Sequence, residues 1–117
     1  MTIHLYGIPN CDTVRKARKW LDGQSLDYTF HDYKKEGVDA ENLERWADRC
    51  GWETLLNRRG TTFRKLDDAE KADMDRNKAV KLMVEHPSMI KRPVVETDDG
   101  ERVLVGFAES EWENMLC

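Results

Sequence analysis

Apolar positions along this chain change spacing several times, and each change predicts an element. A short apolar strand from Thr2 to Tyr6 runs into a Gly/Pro/Asn turn. Val14, Ala17, Trp20 and Leu21 then recur at helical spacing, which predicts a helix from Asp12 to Leu21 closed by Asp22-Gly23, with Gly23 as a glycine cap. Leu26, Tyr28 and Phe30 alternate with Asp27 and Thr29 as a half-buried strand should, and His31-Asp32-Tyr33 follows at its end. Lys34 to Val38 read as a polar connector. Asp39 looks like the N-cap of a helix carrying Ala40, Leu43, Trp46, Ala47 and Cys50 on one stripe and closed by Gly51.

Trp52, Leu55 and Leu56 predict a further short helical turn, followed by a basic loop from Asn57 to Leu66 and an acidic polar stretch from Asp67 to Asp75. The helix that comes next presents Ala79, Val80, Leu82 and Met83 to a core, and His86-Pro87 stops it. Val94–Thr97 and 102–105 are apolar-rich strands joined through Asp98-Asp99-Gly100, a strong antiparallel hairpin signal. A last helix, about Ala108 to Leu116, turns Trp112, Met115 and Leu116 inward.

The order β-α-β, helical stretch, β-β-α points to an α/β chain. A right-handed crossover pairs the first two strands in parallel and the hairpin adds an antiparallel pair, giving a mixed four-stranded sheet. This is the element order of a thioredoxin-like fold with a helical insertion at about residues 35–90. A length of 117 residues predicts a single domain over 1–117. In that layout Arg92-Pro93, just before the hairpin, meets the turn after the first strand. A proline at a strand start is tolerated there and is compatible with a cis bond.

Composition narrows the function classes. Charged residues make up 36% of the chain and hydrophobic ones 39%, as in a well-solvated protein. A net charge of −4 argues against nucleic acid or an anionic membrane as the main partner. No secretory leader and no apolar run of membrane-spanning length is visible, so the expected location is cytoplasmic. A monomer is expected.

The chemistry concentrates at Cys11. The predicted turn delivers it to the start of a helix, whose leading N–H groups carry partial positive charge and stabilise a thiolate. Arg15, one turn along the same face, adds a full positive charge, while Asp12 acts against the thiolate. The three cysteines, Cys11, Cys50 and Cys117, are widely spaced, without C-x-x-C or a His at ligand spacing, and suit neither a disulfide framework nor a metal site. Val14 stands where a dithiol oxidoreductase carries its second cysteine, so Cys11 is expected to work as a monothiol resolved from outside. Cys50 falls on an apolar stripe and reads as packing, and the neighbouring His31 and Asp32 read as surface polar residues rather than a catalytic pair. The basic loop, with Arg58, Arg59, Arg64 and Lys65, reads either as an anion holder or as a solvated linker.

The pattern Tyr6-x-x-Pro9-x-Cys11-x-Thr13-x-Arg15, followed far downstream by His86-Pro87-x-x-Ile90-x-Arg92-Pro93-Val94, resembles the arsenate reductase (ArsC) family, and in particular its small YffB-like branch. The similarity extends through Leu55-Leu56-Asn57-Arg58 and Val105-Gly106-Phe107. The resemblance implies a thioredoxin-like fold, Cys11 as nucleophile, Arg15 supporting its thiolate, and Arg92 binding an anionic ligand beside a cis Pro93. It further assigns Asn10, Thr13, Arg58, Arg92 and Pro93 to substrate or glutathione, with no bound cofactor, glutathione as co-substrate and glutaredoxin as a possible partner. Three positions depart from the classical arsenate reductases. Gly7 replaces a histidine, Asn57 occupies the place of an arginine that here comes one residue later, and Val105 falls where a third anion-binding arginine stands. One lost charge-assisted contact costs roughly ten- to a hundredfold in oxyanion affinity. The expectation is therefore a glutathione-dependent thiol oxidoreductase, with arsenate reduction as one alternative. The other is binding to RNA polymerase like the Spx regulators, whose C-x-x-C switch Val14 removes.

Overall fold

The computed structural model describes residues 3–97 and 102–116. Thr2, the Asp98-Asp99-Gly100 turn and Cys117 lie outside the described residues. In chain order the elements are β1 (Ile3–Gly7), α1 (Asp12–Gly23), β2 (Tyr28–Asp32), α2 (Tyr33–Glu36), α3 (Ala40–Cys50), α4 (Trp52–Leu55), α5 (Thr61–Arg64), α6 (Asp68–Lys71), α7 (Arg76–Glu85), a 3-10 turn (Pro87–Met89), β3 (Val94–Thr97), β4 (Val103–Val105) and α8 (Glu109–Leu116). They divide into two compact units, Met1–Glu36 with Arg92–Cys117, and Gly37–Lys91.

The first unit is built on one mixed sheet with strand order β2-β1-β3-β4. β1 and β2 run parallel, Ile3 beside Tyr28 and Gly7 beside Asp32. β3 returns antiparallel to β1, with Tyr6 opposite Val94, and β4 pairs antiparallel with β3, with Val94 opposite Val105. This register has one consequence for chemistry. The ends of β1, β2 and β4 and the start of β3 all lie along the same edge of the sheet. The turn carrying Cys11, the residue Tyr33, the Arg92-Pro93 pair and Gly106 therefore gather there.

Period-two alternation sends Ile3, Leu5, Val95 and Leu104 to one face, where Ala17 and Leu21 of α1 and Trp112 and Leu116 of α8 close the core. Trp112 meets Phe107 edge-on at 4.8 Å and Trp20 at 5.9 Å. Burying an indole removes about 150–250 Å² from water, roughly 4–6 kcal/mol at the usual transfer coefficient. The Trp112 Nε1–H also donates to the Gly106 carbonyl (3.1 Å), and the Gly106 N–H donates to the Pro93 carbonyl (2.8 Å). The aromatic cluster thus fixes the backbone around Pro93. On the other face His31 stacks on Tyr6 at 4.6 Å and shares a 3.0 Å hydrogen bond with His4.

The second unit packs helices around Leu43, Trp46, Leu55, Leu56, Met83 and Ile90, all buried. Asp39 caps α3 through the Asn42 N–H (2.9 Å), as expected from sequence, and Gly51 ends it at φ +86°. Asp75 caps α7 through the Lys78 N–H. Arg76 donates to Glu44 and Asp48, joining α7 to α3.

Several expectations are corrected. The first helix continues through Gly23, and Ser25 at φ +56°, not Gly23, turns the chain. The polar connector after β2 begins with the short helix α2. Asp32 accepts from the Lys34 and Lys35 N–H groups, both at 3.2 Å, and so acts as its cap. The basic loop contains α5, and the acidic stretch contains α6, held by a capping box between Asp67 and Glu70. Tyr33, which opens α2, is only 1% exposed.

Candidate functional site

Cys11 is the N-cap of α1, with extended backbone (φ −110°, ψ 126°), and its carbonyl accepts the Arg15 N–H at 2.9 Å. Its side chain makes no capping hydrogen bond, and the half-buried thiol is free. The sulfur is therefore presented at the positive end of a helix of 12 residues without being spent on the backbone.

Glycine at position 7 has a steric reason. A Cβ built there would lie 2.8 Å from Val14 Cγ2, so α1 approaches the end of β1 too closely for any side chain. Val14, where a second thiol would stand, is fully buried in that contact.

Arg15 is exposed and pairs with Asp12. The guanidinium holds the Asp12 carboxyl below the usual carboxylate range. Asn10 and Thr13 are both exposed on the turn and first helical residues around Cys11. Arg92 is half-buried, Pro93 is buried, and the bond between them is cis.

Sequence reasoning missed Tyr33. It starts α2 at the end of β2, two strands away from β3, and is buried at the sheet end that holds the Cys11 turn. Burial pushes the Tyr33 hydroxyl well above the usual phenol range; Arg92 pulls the other way, and the nearby Cys11 adds to the rise. The signal that would have found it is Asp32. Read as an N-cap, in the same way as Asp39, it starts a helix at Tyr33 at the sheet edge that holds Cys11.

A cavity of about 230 Å³ adjoins the Cys11 turn, lined by Ile8, Pro9, Asn10, Asp32, Lys34 and Lys35. It offers an apolar floor and two cations beside the turn. Arg58 belongs to the second unit. There the Leu56–Ile90 bridge brings Lys91 to Arg58 and Arg59, and with Asn57 they line a cleft of about 400 Å³. Arg58 lies over the Trp52 ring at 5.8 Å. Cys50 donates its thiol hydrogen to the Trp46 carbonyl (3.1 Å), and burial pushes its pKa up, which suits the packing role expected of it. Among the described residues no three His, Cys, Asp or Glu side chains converge as a metal-ligand set, and no helix is long and apolar enough to cross a membrane.

Comparison with known proteins agrees with this geometry. The solved structure of a YffB protein is 56% identical and superposes with a TM-score of 0.93, covering 98% of this chain and 99% of that one. An arsenate reductase (ArsC) related protein from Brucella melitensis is 53% identical with a TM-score of 0.76, covering 97% and 93% of the two chains. The global transcriptional regulator Spx of Lactiplantibacillus plantarum is 27% identical over 114 residues, 96% of this chain and 84% of that protein. The family model described as ArsC matches residues 6–115, from the end of β1 through nearly all of α8. With the thioredoxin-like sheet and helices in place, a match of that extent shows that the chain belongs to the ArsC family.

Proposed function

We propose that this protein is a monothiol oxidoreductase that uses glutathione as its reductant. The observation that carries the reading is the setting of Cys11: a free thiol capping α1, at the sheet edge shared with Arg92-cis-Pro93, with buried Val14 in place of a second thiol. Family membership and the likeness to an arsenate reductase-related protein support a thiol oxidoreductase in general. With no resolving thiol in the turn, the second thiol comes from solution.

The two steps balance as follows. The Cys11 thiolate attacks the glutathionyl sulfur of a mixed disulfide; a new S–S bond forms and the substrate thiolate leaves with the electron pair. A glutathione thiolate then attacks the glutathionyl sulfur on Cys11, releasing the Cys11 thiolate and oxidised glutathione. The substrate is reduced, and two glutathionyl groups leave as one disulfide. Glutaredoxin is an alternative source of the second thiol. Glutathione carries two carboxylates, and Arg15, Lys34, Lys35 and Arg92 are cations near this end of the sheet to receive them, with Asn10 and Thr13 offering polar contacts on the turn.

The test is reduction of a glutathionylated peptide by glutathione, with the Cys11 peptide followed by mass. One glutathione adduct on Cys11, and loss of turnover in Cys11→Ser, are the expected results. No adduct on Cys11, or turnover unchanged in Cys11→Ser, overturns the proposal. Arsenate in the same assay addresses the second reading, which the family favours: saturable, Cys11-dependent arsenite production would make the oxyanion the substrate.

A further inference from the structure

We infer that His4, His31 and Glu36 form a proton-operated clasp on the sheet face away from α1. It grips α2 hardest when the two imidazoles share a single added proton, and slackens both when that proton is lost and when a second one arrives. The inference rests on neither Cys11 as the nucleophile nor glutathione as the reductant.

Alternation puts His4 and Tyr6 on the face opposite Ile3 and Leu5, and the β1–β2 register sets His31 beside Tyr6. There His4 Nδ1 lies 3.0 Å from His31 Nε2, and the other ring nitrogen of His31, Nδ1, lies 3.7 Å from Glu36 Oε2. The His31 ring is held in a stack on Tyr6, centroids 4.6 Å and planes 14° apart. Glu36 is the last residue of α2, so the row runs from β1 through β2 to the far end of the helix that Tyr33 opens. The same helix contributes Lys34 and Lys35 to the cavity beside the Cys11 turn. Four residues are too few for a helix to hold itself. Its order depends on the Asp32 cap at one end and on this row at the other.

A bond between two imidazole nitrogens needs one N–H and one lone pair. With both rings neutral, the Glu36 carboxylate favours the His31 tautomer that carries its hydrogen on Nδ1, which leaves Nε2 to accept from the His4 Nδ1–H. One added proton makes that bond charge-assisted, gives Glu36 a cation to pair with and sets positive charge against the Tyr6 ring. A second proton leaves N–H facing N–H at 3.0 Å with the ring centroids 5.2 Å apart, so the bond is lost and the like charges repel. Glu36 then pairs with a ring that is no longer anchored to β1. The grip on α2 therefore passes through a maximum as pH falls through the histidine range. Three other sets of ionisable groups adjoin the row. Glu96, only 4% exposed, stands opposite His4 on β3. Asp32, next to His31, already accepts from the Lys34 and Lys35 N–H groups. The side chains of Lys34 and Lys35 are exposed on α2.

Hydrogen exchange at the backbone amides of residues 34–36, corrected for the intrinsic rate at each pH, reads the grip directly. From about pH 8 down to 5, protection in wild type should rise about two- to fivefold, the size of one partly exposed ion pair, and then fall again. Glu36→Gln should remove the rise, because the shared proton no longer has a carboxylate on α2 to hold. His4→Gln has one titrating ring left, and should keep the rise and lose the fall. Glu96→Gln should leave both limbs in place. A flat or one-directional wild-type profile overturns the inference, as does a His4→Gln profile that still turns down. Loss of the rise in Glu96→Gln but not in Glu36→Gln also overturns it, and assigns the dependence to β3. A variant that lowers protection equally at every pH still shows which limbs it has, so a general loosening does not obscure the result.

Discussion

Gly7 and Val14 meet where the end of β1 passes α1, and the contact leaves no room for a side chain at position 7 while Val14 holds its place. The missing Cβ at Gly7 is what lets Val14 seat against the end of β1, 2.8 Å from where that atom would be. Adding it forces the helix or the valine to move. Gly7→Ala should therefore lower stability by about 1–3 kcal/mol, the usual cost of overpacking. In urea denaturation the pair Gly7→Ala with Val14→Ala should be less destabilised than the sum of the single changes, because the second removes the clash made by the first. Additive losses would show that the two do not compete for space. Tyr33 and Asp32 make a contrasting pair. Asp32 is legible as a cap by the same logic that finds Asp39, but the burial of Tyr33 is not. Adjacency in the sequence says nothing about which strands flank it in the sheet.

Among the elements, caps and apolar spacing predict the longer helices and the short α4, and miss α2, α5 and α6. α3 and α7 have an Asp N-cap, and α3 an apolar stripe, and both occur where the sequence puts them. Asp39→Ala removes the acceptor for the Asn42 N–H and should cost about 0.5–2 kcal/mol, measured as a shift of the urea midpoint at constant slope. A change below a few tenths would mean that water replaces the cap without loss. Helices α2, α5 and α6 have four residues each, too few for periodicity to register. They depend on caps and neighbours, so a reading based on apolar spacing sees polar linkers. α1 runs on through Gly23, and the left-handed turn falls at Ser25, directly before Leu26 packs back against the core. Local composition favours glycine for that turn; the return of Leu26 to the core moves it two residues on.

At the scale of the whole molecule, stability falls at high pH for an identifiable reason. Tyr33 and Cys50 both have folded-state pKa values raised by burial, so the fold binds their protons more tightly than the unfolded chain does. Their contribution is complete below the unfolded values of 9.0 for Cys50 and 10.0 for Tyr33, and is lost as pH rises toward the folded ones. Urea midpoints measured from about pH 8 to 11 should fall, and Tyr33→Phe should flatten the part of the fall above about pH 10. An equal slope in wild type and variant would show that Tyr33 ionises as easily folded as unfolded.

The sequence was enough to place the strands, the longer helices, the thioredoxin-like order and Cys11 at the start of the first helix, because each rests on local periodicity, capping or a turn composition. Resemblance then added Arg92 and Pro93. Packing decided the rest. The register of four strands brings the starts and ends of distant segments to one edge, and the close approach of α1 leaves no room at Gly7. Burial takes Tyr33, the residue after a strand, out of water at the sheet end that holds the Cys11 turn. These are properties of residues brought together by the fold, and local spacing along the chain does not encode them.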